Sequence, residues 1–318
     1  MGPRDDLQAA ADALDGSVVV CGIGAYADAL ADEQFPGARF ATVAELLAEA
    51  ESSTDRAGGA GGADSRGGET DLAAVVVAVD PALDLDTDEA FGSLAAIDAF
   101  TVAVLPGSEV STAGLSAVGE GVDGVLLAGG DDGRSGRGGA GGSGDAVDTV
   151  IAGIREFLDV VQAPGFVNLD LADARTVLST GVAALGTGTA ARDAPTTAID
   201  RAFDALPDGV DPTAASAVLV DVVVDPVTSI AAATDVVAAV RERIGTAANV
   251  IWGGAVDESA TDEIRVRVVV ADVRYVPALE SGDPCPRCEA PLSAYALGAR
   301  ETLSCDACGY SGIAVRRE

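Results

Sequence analysis

The sequence predicts an α/β protein with a parallel, doubly wound sheet in its first half, a central helix, and a second, smaller α/β unit. Two observations support this prediction. Short apolar segments alternate with helical stretches between residues 18 and 128, and the alternation resumes after a long amphipathic helix. A third observation, four cysteines between residues 285 and 308, predicts a small tail that folds around a metal ion.

In the first half, each predicted strand is a short, mostly apolar segment bounded by polar residues or glycine. The predicted strands are Val18–Cys21, Ala38–Thr42, Ala73–Val79, Thr101–Leu105 and Val122–Ala128. Helices are predicted between them at Glu45–Glu51 and Asp88–Ala99. Two glycine-rich stretches, residues 57–68 and 129–145, have no repeat period and are interpreted as surface loops.

The central helix has the clearest period in the chain. Val150, Ile154, Phe157 and Val161 recur at helical spacing after Asp145, a suitable N-cap, and the helix should end before Pro164-Gly165. The elements predicted after it are helix Pro195–Leu206, strand Ala217–Val224, helix Ser229–Ile244, strand Asn249–Trp252 and strand Glu263–Val273. In the last strand, apolar residues alternate with Arg265 and Arg267, which predicts a strand with one buried face.

The charge composition excludes several classes of chemistry. The 318 residues include 51 acidic and 19 basic residues, a net charge of −32, and all the basic residues are arginine. Without histidine or lysine there is no Ser-His-Asp triad, no histidine-ligated metal, no Schiff base and no ordinary P-loop. The negative charge is spread over the whole chain. It disfavours nucleic acid and anionic membranes as partners and indicates adaptation to a cytosol of high salt concentration.

No segment resembles a membrane span or a targeting signal. The longest apolar runs, such as Ala73–Val79 and Ala217–Val224, are far shorter than a transmembrane helix. The first residues, Met1–Asp15, are acidic and helix-like, unlike a signal peptide. The sequence therefore predicts a cytoplasmic protein.

The cysteine spacing is the strongest local signal. Cys285 and Cys288 form one C-x₂-C pair, Cys305 and Cys308 form another, and 16 residues separate the pairs. This spacing predicts a zinc ribbon with a closed, structural Cys₄ site. A disulfide is disfavoured in a reducing cytosol, and a redox C-x-x-C motif does not explain two pairs. Cys21, on an apolar strand, is expected to be a small buried residue. Acidic residues cancel the arginines of the tail, which favours a protein partner for the ribbon.

Residues 166–175 read Phe-Val-Asn-Leu-Asp-Leu-Ala-Asp-Ala-Arg. This segment resembles the synergy loop of the FtsZ/tubulin superfamily, in which Asn168, Asp170 and Asp173 match the motif and Leu171 replaces the usual phenylalanine. The long helix before it agrees with the family, and residues 186–190 resemble a glycine-rich turn of the family. In the order of its elements, the resemblance extends over residues 18–273.

In that family, the loop inserts into the nucleotide pocket of the next subunit of a filament, where its carboxylates orient the water that attacks the γ-phosphate. The resemblance therefore implies that Asn168, Asp170 and Asp173 act on the GTP of a neighbouring subunit. An alternative interpretation needs no partner: Asp170 and Asp173 cap the helix that begins near Ala172.

The resemblance also implies a GTP site, but its glycine-rich loops are largely replaced. Gly22 and Gly24 follow the first strand, where they either approach a phosphate or form a tight turn. After Ala73–Val79, where the family has a run of glycines, residues 80–89 contain no glycine, one proline and five carboxylates. Asp148 falls where the family binds guanine, but its interpretation as first-turn negative charge at a helix N-terminus is preferred. GTP binding is therefore doubtful.

Together, these observations predict four regions: a degenerate, Rossmann-like nucleotide-binding-type domain (1–144), the central helix and connection (145–167), an FtsZ C-terminal-type domain (168–276) and the zinc ribbon (277–318). The expected function is a cytoskeletal or cell-division regulator that docks its synergy loop on an FtsZ-type filament or on other division proteins, or that associates with itself. Two alternatives remain: an active, polymerising GTPase, and a zinc-ribbon adaptor that uses the fold as a scaffold.

Overall fold

The computed structural model describes residues 17–49, 72–80, 85–107, 110, 112–129, 143–162, 165–244 and 247–275, and in the tail residues 281–282, 285, 288, 290–297 and 300–313. Residues 1–15, the first glycine-rich stretch, most of the second, and residues 81–84 of the acidic segment lie outside the described residues. The protein has the α/β fold that the sequence predicts.

The elements follow one another as a repeated strand–helix alternation. The strands are β1 (Ser17–Ile23), β2 (Ala38–Phe40), β3 (Leu72–Val79), β4 (Phe100–Pro106), β5 (Gly124–Ala128), β6 (Val182–Ala191), β7 (Val210–Asp211), β8 (Ala217–Val224), β9 (Asn249–Val256), β10 (Glu263–Ala271), β11 (Arg274–Tyr275), β12 (Ser293–Leu297), β13 (Arg300–Ser304) and β14 (Ser311–Ile313). The helices are α1 (Tyr26–Ala31), α2 (43–49), α3 (Leu85–Leu94), α4 (Thr112–Gly121), α5 (Ser143–Gln162), α6 (Leu171–Leu178), α7 (Pro195–Asp204) and α8 (Ile230–Ile244). A 3₁₀ turn covers Pro212–Ala214.

Both halves of the chain contribute to one nine-stranded sheet, in the order β2-β1-β3-β4-β5-β6-β10-β8-β9. Strands β1 to β5 are parallel, and β6 continues them by pairing in parallel with β5 from Val125–Val182 to Ala128–Leu185. Strand β10 is antiparallel to both β6 and β8. The two predicted α/β units therefore share one hydrogen-bonded sheet.

Helices cover both faces of this sheet. One core layer receives side chains from α2, α3, α4, α7 and α8, and the other receives side chains from α1, α5 and α6. This double coverage explains why β3 is a continuous apolar run and why β8 is apolar except for Asp221, since residues that point to either face are buried. Helix α5 packs through the apolar residues that predicted it, with Ile154 and Phe157 fully buried.

The prediction of a glycine-rich turn at residues 186–190 is wrong, because these residues lie inside β6. Their glycines allow a helix to pack closely. A Cβ atom at Gly186 would overlap the carbonyl oxygen of Ala202, and one at Gly188 would overlap the carbonyl oxygen of Ala198. Helix α7 can therefore lie directly on the β6 backbone.

The prediction of one buried face for β10 is also wrong, because the side chain of Arg267 is only 3% exposed. Its Nη1 donates to Asp221 Oδ2 on β8 (2.8 Å), its Nη2 donates to Asp159 Oδ2 on α5 (3.0 Å), and its Nε donates to Glu156, also on α5. We call these four residues the Arg267 cluster. Desolvation raises the pKa of Asp221 and of Asp159 against the opposing effect of the guanidinium. The second face of β10 is thus covered by the acidic side of α5.

Within the described part of the chain, none of the helices has both the length and the apolar composition needed to cross a bilayer.

Candidate functional site

The 165–170 loop, which precedes α6, holds the residues that the sequence predicts to act on a partner. Asn168 and Asp170 are exposed, whereas Leu169 between them is buried in the core. The backbone N–H of Gly165 donates to Asn168 Oδ1 (2.7 Å), which closes the loop on itself. Asn168 therefore already has a local structural role, with its side chain at the surface.

Asp170 and Asp173 form a capping box at the N-terminus of α6. Asp170 Oδ1 accepts a hydrogen bond from the N–H of Asp173 (2.9 Å), and Asp173 Oδ2 accepts one from the N–H of Asp170 (3.3 Å). Desolvation raises the pKa of Asp173. The helix-capping interpretation thus describes real contacts, and it leaves two carboxylates together at a surface where both can accept hydrogen bonds from water.

The loop is attached to the edge strand β9 by an isolated antiparallel bridge. Val167 N donates to the carbonyl oxygen of Gly254 (3.2 Å), and Gly254 N donates to the carbonyl oxygen of Val167 (2.9 Å). Strand β9 was predicted to end at Trp252, but it continues through Gly253 and Gly254 to Val256. The added residues continue the parallel pairing with β8 as far as Val224, and the loop approaches the other edge of β9 at the two glycines.

The carboxyl ends of β1 and β3 are the place where a fold of this kind would bind a nucleotide. A Cβ atom at Gly22 would lie 2.6 Å from the backbone of Tyr26, and Gly24 has a φ of +67°. Gly22, inside β1, therefore leaves room for the first residues of α1, and Gly24 makes the tight turn between the strand and the helix. The Asp80 side chain approaches Gly24 from the end of β3, with Cβ 3.0 Å from a Cβ built on the glycine. Tyr26, at the start of α1, is buried in the core.

The carboxyl ends of β4 and β5 lie against the second half of the chain. A Cβ atom at Gly107 would overlap the ring of Pro207, and one at Gly129 would overlap the carbonyl oxygen of Ala205. The Tyr275 hydroxyl donates toward the carbonyl oxygens of Gly107 (2.7 Å) and Val110 (3.2 Å). Residues from the segment after α7 and from β11 therefore occupy space beside these two strand ends.

The remaining predicted nucleotide residue, Asp148, lies on an exposed part of α5. Because α5 begins at Ser143, Asp148 is beyond the first turn, and its interpretation as first-turn charge is wrong. A cavity of about 350 Å³ lies at the opposite, amino ends of β3 and β4, where Leu72, Thr101 and Arg175 contribute to its wall.

The four tail cysteines come together around one point. Their sulfur atoms all lie within 4.8 Å of one another, with 3.6 Å between Cys285 and Cys308 and 3.4 Å between Cys288 and Cys305. Tetrahedral zinc with Zn–S bonds of about 2.3 Å would require sulfur atoms about 3.8 Å apart. The donor set therefore fits a metal ion.

In the second cysteine pair, the surroundings of Cys305 favour a thiolate. Desolvation opposes ionisation of Cys305, but the backbone N–H groups of Cys308 and Ala307 and the side chains of Cys288 and Cys285 together lower the pKa of Cys305 to about 7. Gly309 has a φ of +71°, which allows the chain to turn after the pair. Cys21, in contrast, is buried, and desolvation raises its pKa to about 12.

Sequence reasoning missed the residues that hold the loop in place. Phe166 is 37% exposed, yet its ring lies over Gly254, and Gly253 contacts Leu169. The available signal was the Gly-Gly pair inside an apolar run, since glycine in a strand often marks the close approach of another backbone.

Comparison of the sequence with family models matches residues 181–274 to the C-terminal domain of the FtsZ family. Cell division protein FtsZ 1 of Halobacterium salinarum is 38% identical over 128 residues, which is 39% of this chain and 32% of that protein. Cell division protein FtsZ of Coxiella burnetii is 35% identical over 127 residues, 38% of this chain and 32% of that protein. The chain thus spans about a third of the length of these curated relatives.

The similarity in fold extends further than the similarity in sequence. An empty FtsZ dimer from M. jannaschii matches 90% of this chain and 100% of its own, with a TM-score of 0.60 and 16% identity. CetZ2 from Haloferax volcanii, in a GTPγS-bound protofilament, matches 81% of this chain and 93% of its own, with a TM-score of 0.54 and 16% identity. At this identity the structures show a shared fold that includes the first half of the chain.

Proposed function

Because the chain belongs to the FtsZ/tubulin superfamily, we propose that it is a cytoskeletal or cell-division subunit that docks its 165–170 loop on the nucleotide-bearing face of an FtsZ-type partner. In this proposal, Asp170 and Asp173 position water against the partner's GTP, and Asn168 shapes the loop. The chain itself holds GTP weakly or not at all.

The observation that carries this proposal is a contrast between the 165–170 loop and the carboxyl ends of β1 and β3. At the 165–170 loop, polar side chains are exposed and two carboxylates lie together at a helix start. At the carboxyl ends of β1 and β3, the Asp80 side chain approaches the turn at Gly24, and the buried Tyr26 is the first residue of α1. A triphosphate bound there would meet negative charge in a partly desolvated place, which costs free energy.

The proposal can be tested with FtsZ 1 of Halobacterium salinarum in molar KCl. At FtsZ concentrations too low for assembly, addition of this chain should raise the rate of phosphate release, because each docked loop completes one hydrolysis site. At higher concentrations the chain should be recovered with sedimented filaments. Unchanged phosphate release together with no co-sedimentation would refute the proposal.

A charge-neutral variant separates binding from catalysis. Asp170→Asn/Asp173→Asn keeps oxygen acceptors for the helix cap but removes both charges, so it should still co-sediment while failing to raise phosphate release. The matched control is Asp193→Asn, a single carboxylate on an exposed turn after β6, and this variant should behave as the unmodified chain.

A GTP-binding, polymerising subunit is the second candidate. The fold similarity covers the first half of the chain as well as the second, and Gly22 and Gly24 lie where β1 leads into α1. Equilibrium binding of labelled GTP in molar KCl distinguishes the candidates, since micromolar affinity would favour the second.

For the tail, we propose that Cys285, Cys288, Cys305 and Cys308 hold a structural zinc ion. Zinc bound by four thiolates has no open position for water, so its contribution would be to the folding of β12–β14. The purified chain should contain one zinc ion, and Cys288→Ser should lose it. A control substitution of the buried Cys21, Cys21→Ala, should keep the metal. Full zinc content in Cys288→Ser would contradict this assignment.

A further inference from the structure

The 165–170 loop packs against the edge strand β9. Two backbone hydrogen bonds join Val167 to Gly254, and Gly253 is the preceding residue of the strand. Because successive residues of a strand face opposite sides of the sheet, the two glycines leave space on both sides of β9 at the same level.

Two side chains of the loop fill these spaces. A Cβ atom at Gly254 would lie 2.9 Å from Phe166 Cε2 and closer still to Cζ, and a Cβ atom at Gly253 would lie 2.6 Å from Leu169 Cγ. Carbon atoms that are not bonded pack at about 3.5–4.0 Å, so neither position has room for an alanine without a shift. The loop therefore straddles the strand, with the Val167 bridge between its two anchors.

The glycines are needed for space rather than for backbone conformation. Neither Gly253 nor Gly254 has a positive φ, so an alanine could adopt either backbone conformation without strain. The two anchors differ in burial, since Leu169 is 5% exposed and Phe166 is 37% exposed. Phe166 thus holds the loop from the outside, where a change can be made without opening the core.

We propose that the complementary pair Phe166–Gly254 is a positioning device that sets where Asn168 and Asp170 stand relative to the edge of the sheet. Neither residue acts on a nucleotide; both are positioning residues, which fix the loop against β9. The contact between Phe166 and Gly254 is present whether or not the chain docks on a partner, whereas its consequence for docking rests on the proposed function.

A steric rescue experiment tests the pair. Gly254→Ala should displace the Phe166 ring and weaken the bridge, so that the Val167 amide exchanges with solvent about tenfold faster. Phe166→Ala/Gly254→Ala removes the clash and should return exchange to within about twofold of the unmodified chain. The matched control is Gly119→Ala in α4, where the nearest atom to the new Cβ is 4.0 Å away.

The exchange of the Val167 amide, compared with that of core amides in β4, decides the inference. Faster exchange confined to the loop in Gly254→Ala, with rescue in the double variant, supports it. Unchanged exchange, or a loss of protection that the double variant fails to restore, overturns it. Co-sedimentation of the same variants with FtsZ is a separate readout. If the unmodified chain does not co-sediment, the proposed function fails, while the amide exchange still tests whether Phe166 and Gly254 hold the loop on β9.

Discussion

Arg267 illustrates how one residue can connect distant segments. Its guanidinium is buried and bound by carboxylates from α5 and β8, so removal of the cation would leave three acidic groups around a nearly inaccessible position. We expect Arg267→Met to lower the free energy of unfolding by about 3–5 kcal/mol, measured by denaturant titration in molar KCl. As a control, Arg39→Met removes an exposed ion pair with Glu49 and should cost less than about 1 kcal/mol. Equal effects of the two substitutions would contradict this interpretation.

Asp221, in the same cluster, predicts a specific pH dependence. Desolvation raises its pKa in the folded state, so the folded chain favours the protonated carboxyl. Its contribution to stability is therefore fully present below the unfolded pKa, about 3.9, and is lost as pH rises through the folded pKa. Relative to Asp221→Asn, the unmodified chain should lose stability over the range in which the pH rises above about 4, because the folded state holds the proton more tightly than the unfolded state. Denaturation midpoints measured across this range would contradict the assignment if the unmodified chain gained stability instead.

At the scale of elements, the packing of α7 on β6 depends on glycine. A Cβ atom at Gly186 would overlap the carbonyl oxygen of Ala202, which belongs to the α7 backbone. It would also lie 3.1 Å from the backbone nitrogen of Leu206, just after the helix. Gly186→Ala should therefore push α7 away and cost about 1–3 kcal/mol in thermal or denaturant unfolding. Gly119→Ala, in a helix with open space around it, should be neutral or stabilising. A neutral Gly186→Ala would show that the contact relaxes easily.

For the whole molecule, the shared sheet predicts that the two halves unfold together. Strands β5 and β6 pair directly, and helices from both halves enter the same core layer beside them. Thermal unfolding in molar KCl should show one transition for residues 17–275, with amides of β3 and β10 exchanging at the same global free energy. Removal of metal with a chelator should affect β12–β14 and leave that transition in place. Two separate transitions for the halves would favour domain boundaries at the positions the sequence suggests.

Much of the architecture could be predicted from the sequence because the relevant signals are local. The apolar period of α5 predicted the central helix almost to its ends, and the strands β3 and β8 were recognised from runs of mostly apolar residues. The cysteine spacing predicted the thiol cluster in the same way, because a C-x₂-C pair brings two sulfur atoms to one turn.

Other features could not be predicted because they depend on which residues, distant in the sequence, pack against a given side chain. The pattern of β10 is typical of a strand with one buried face, and only the acidic side of α5 explains why Arg267 is inside. Glycines 186 and 188 resemble a turn in sequence, yet they serve the approach of a helix. The motif of Asp170 and Asp173 was recognisable, but sequence alone could not show that both also bond to the backbone at the start of α6.

The sequence by itself determined the acidic and histidine-free composition, which needs only a count of residues. It also determined the strand–helix alternation, the cysteine pairs and the 165–170 motif, since each of these depends on residues close together along the chain. Only the tertiary structure decided that β5 and β6 join the halves in one sheet, that Asp80 approaches Gly24, and that Gly254 receives Phe166. These contacts link residues far apart in the chain, and their free energy depends on packing and desolvation that no local pattern records.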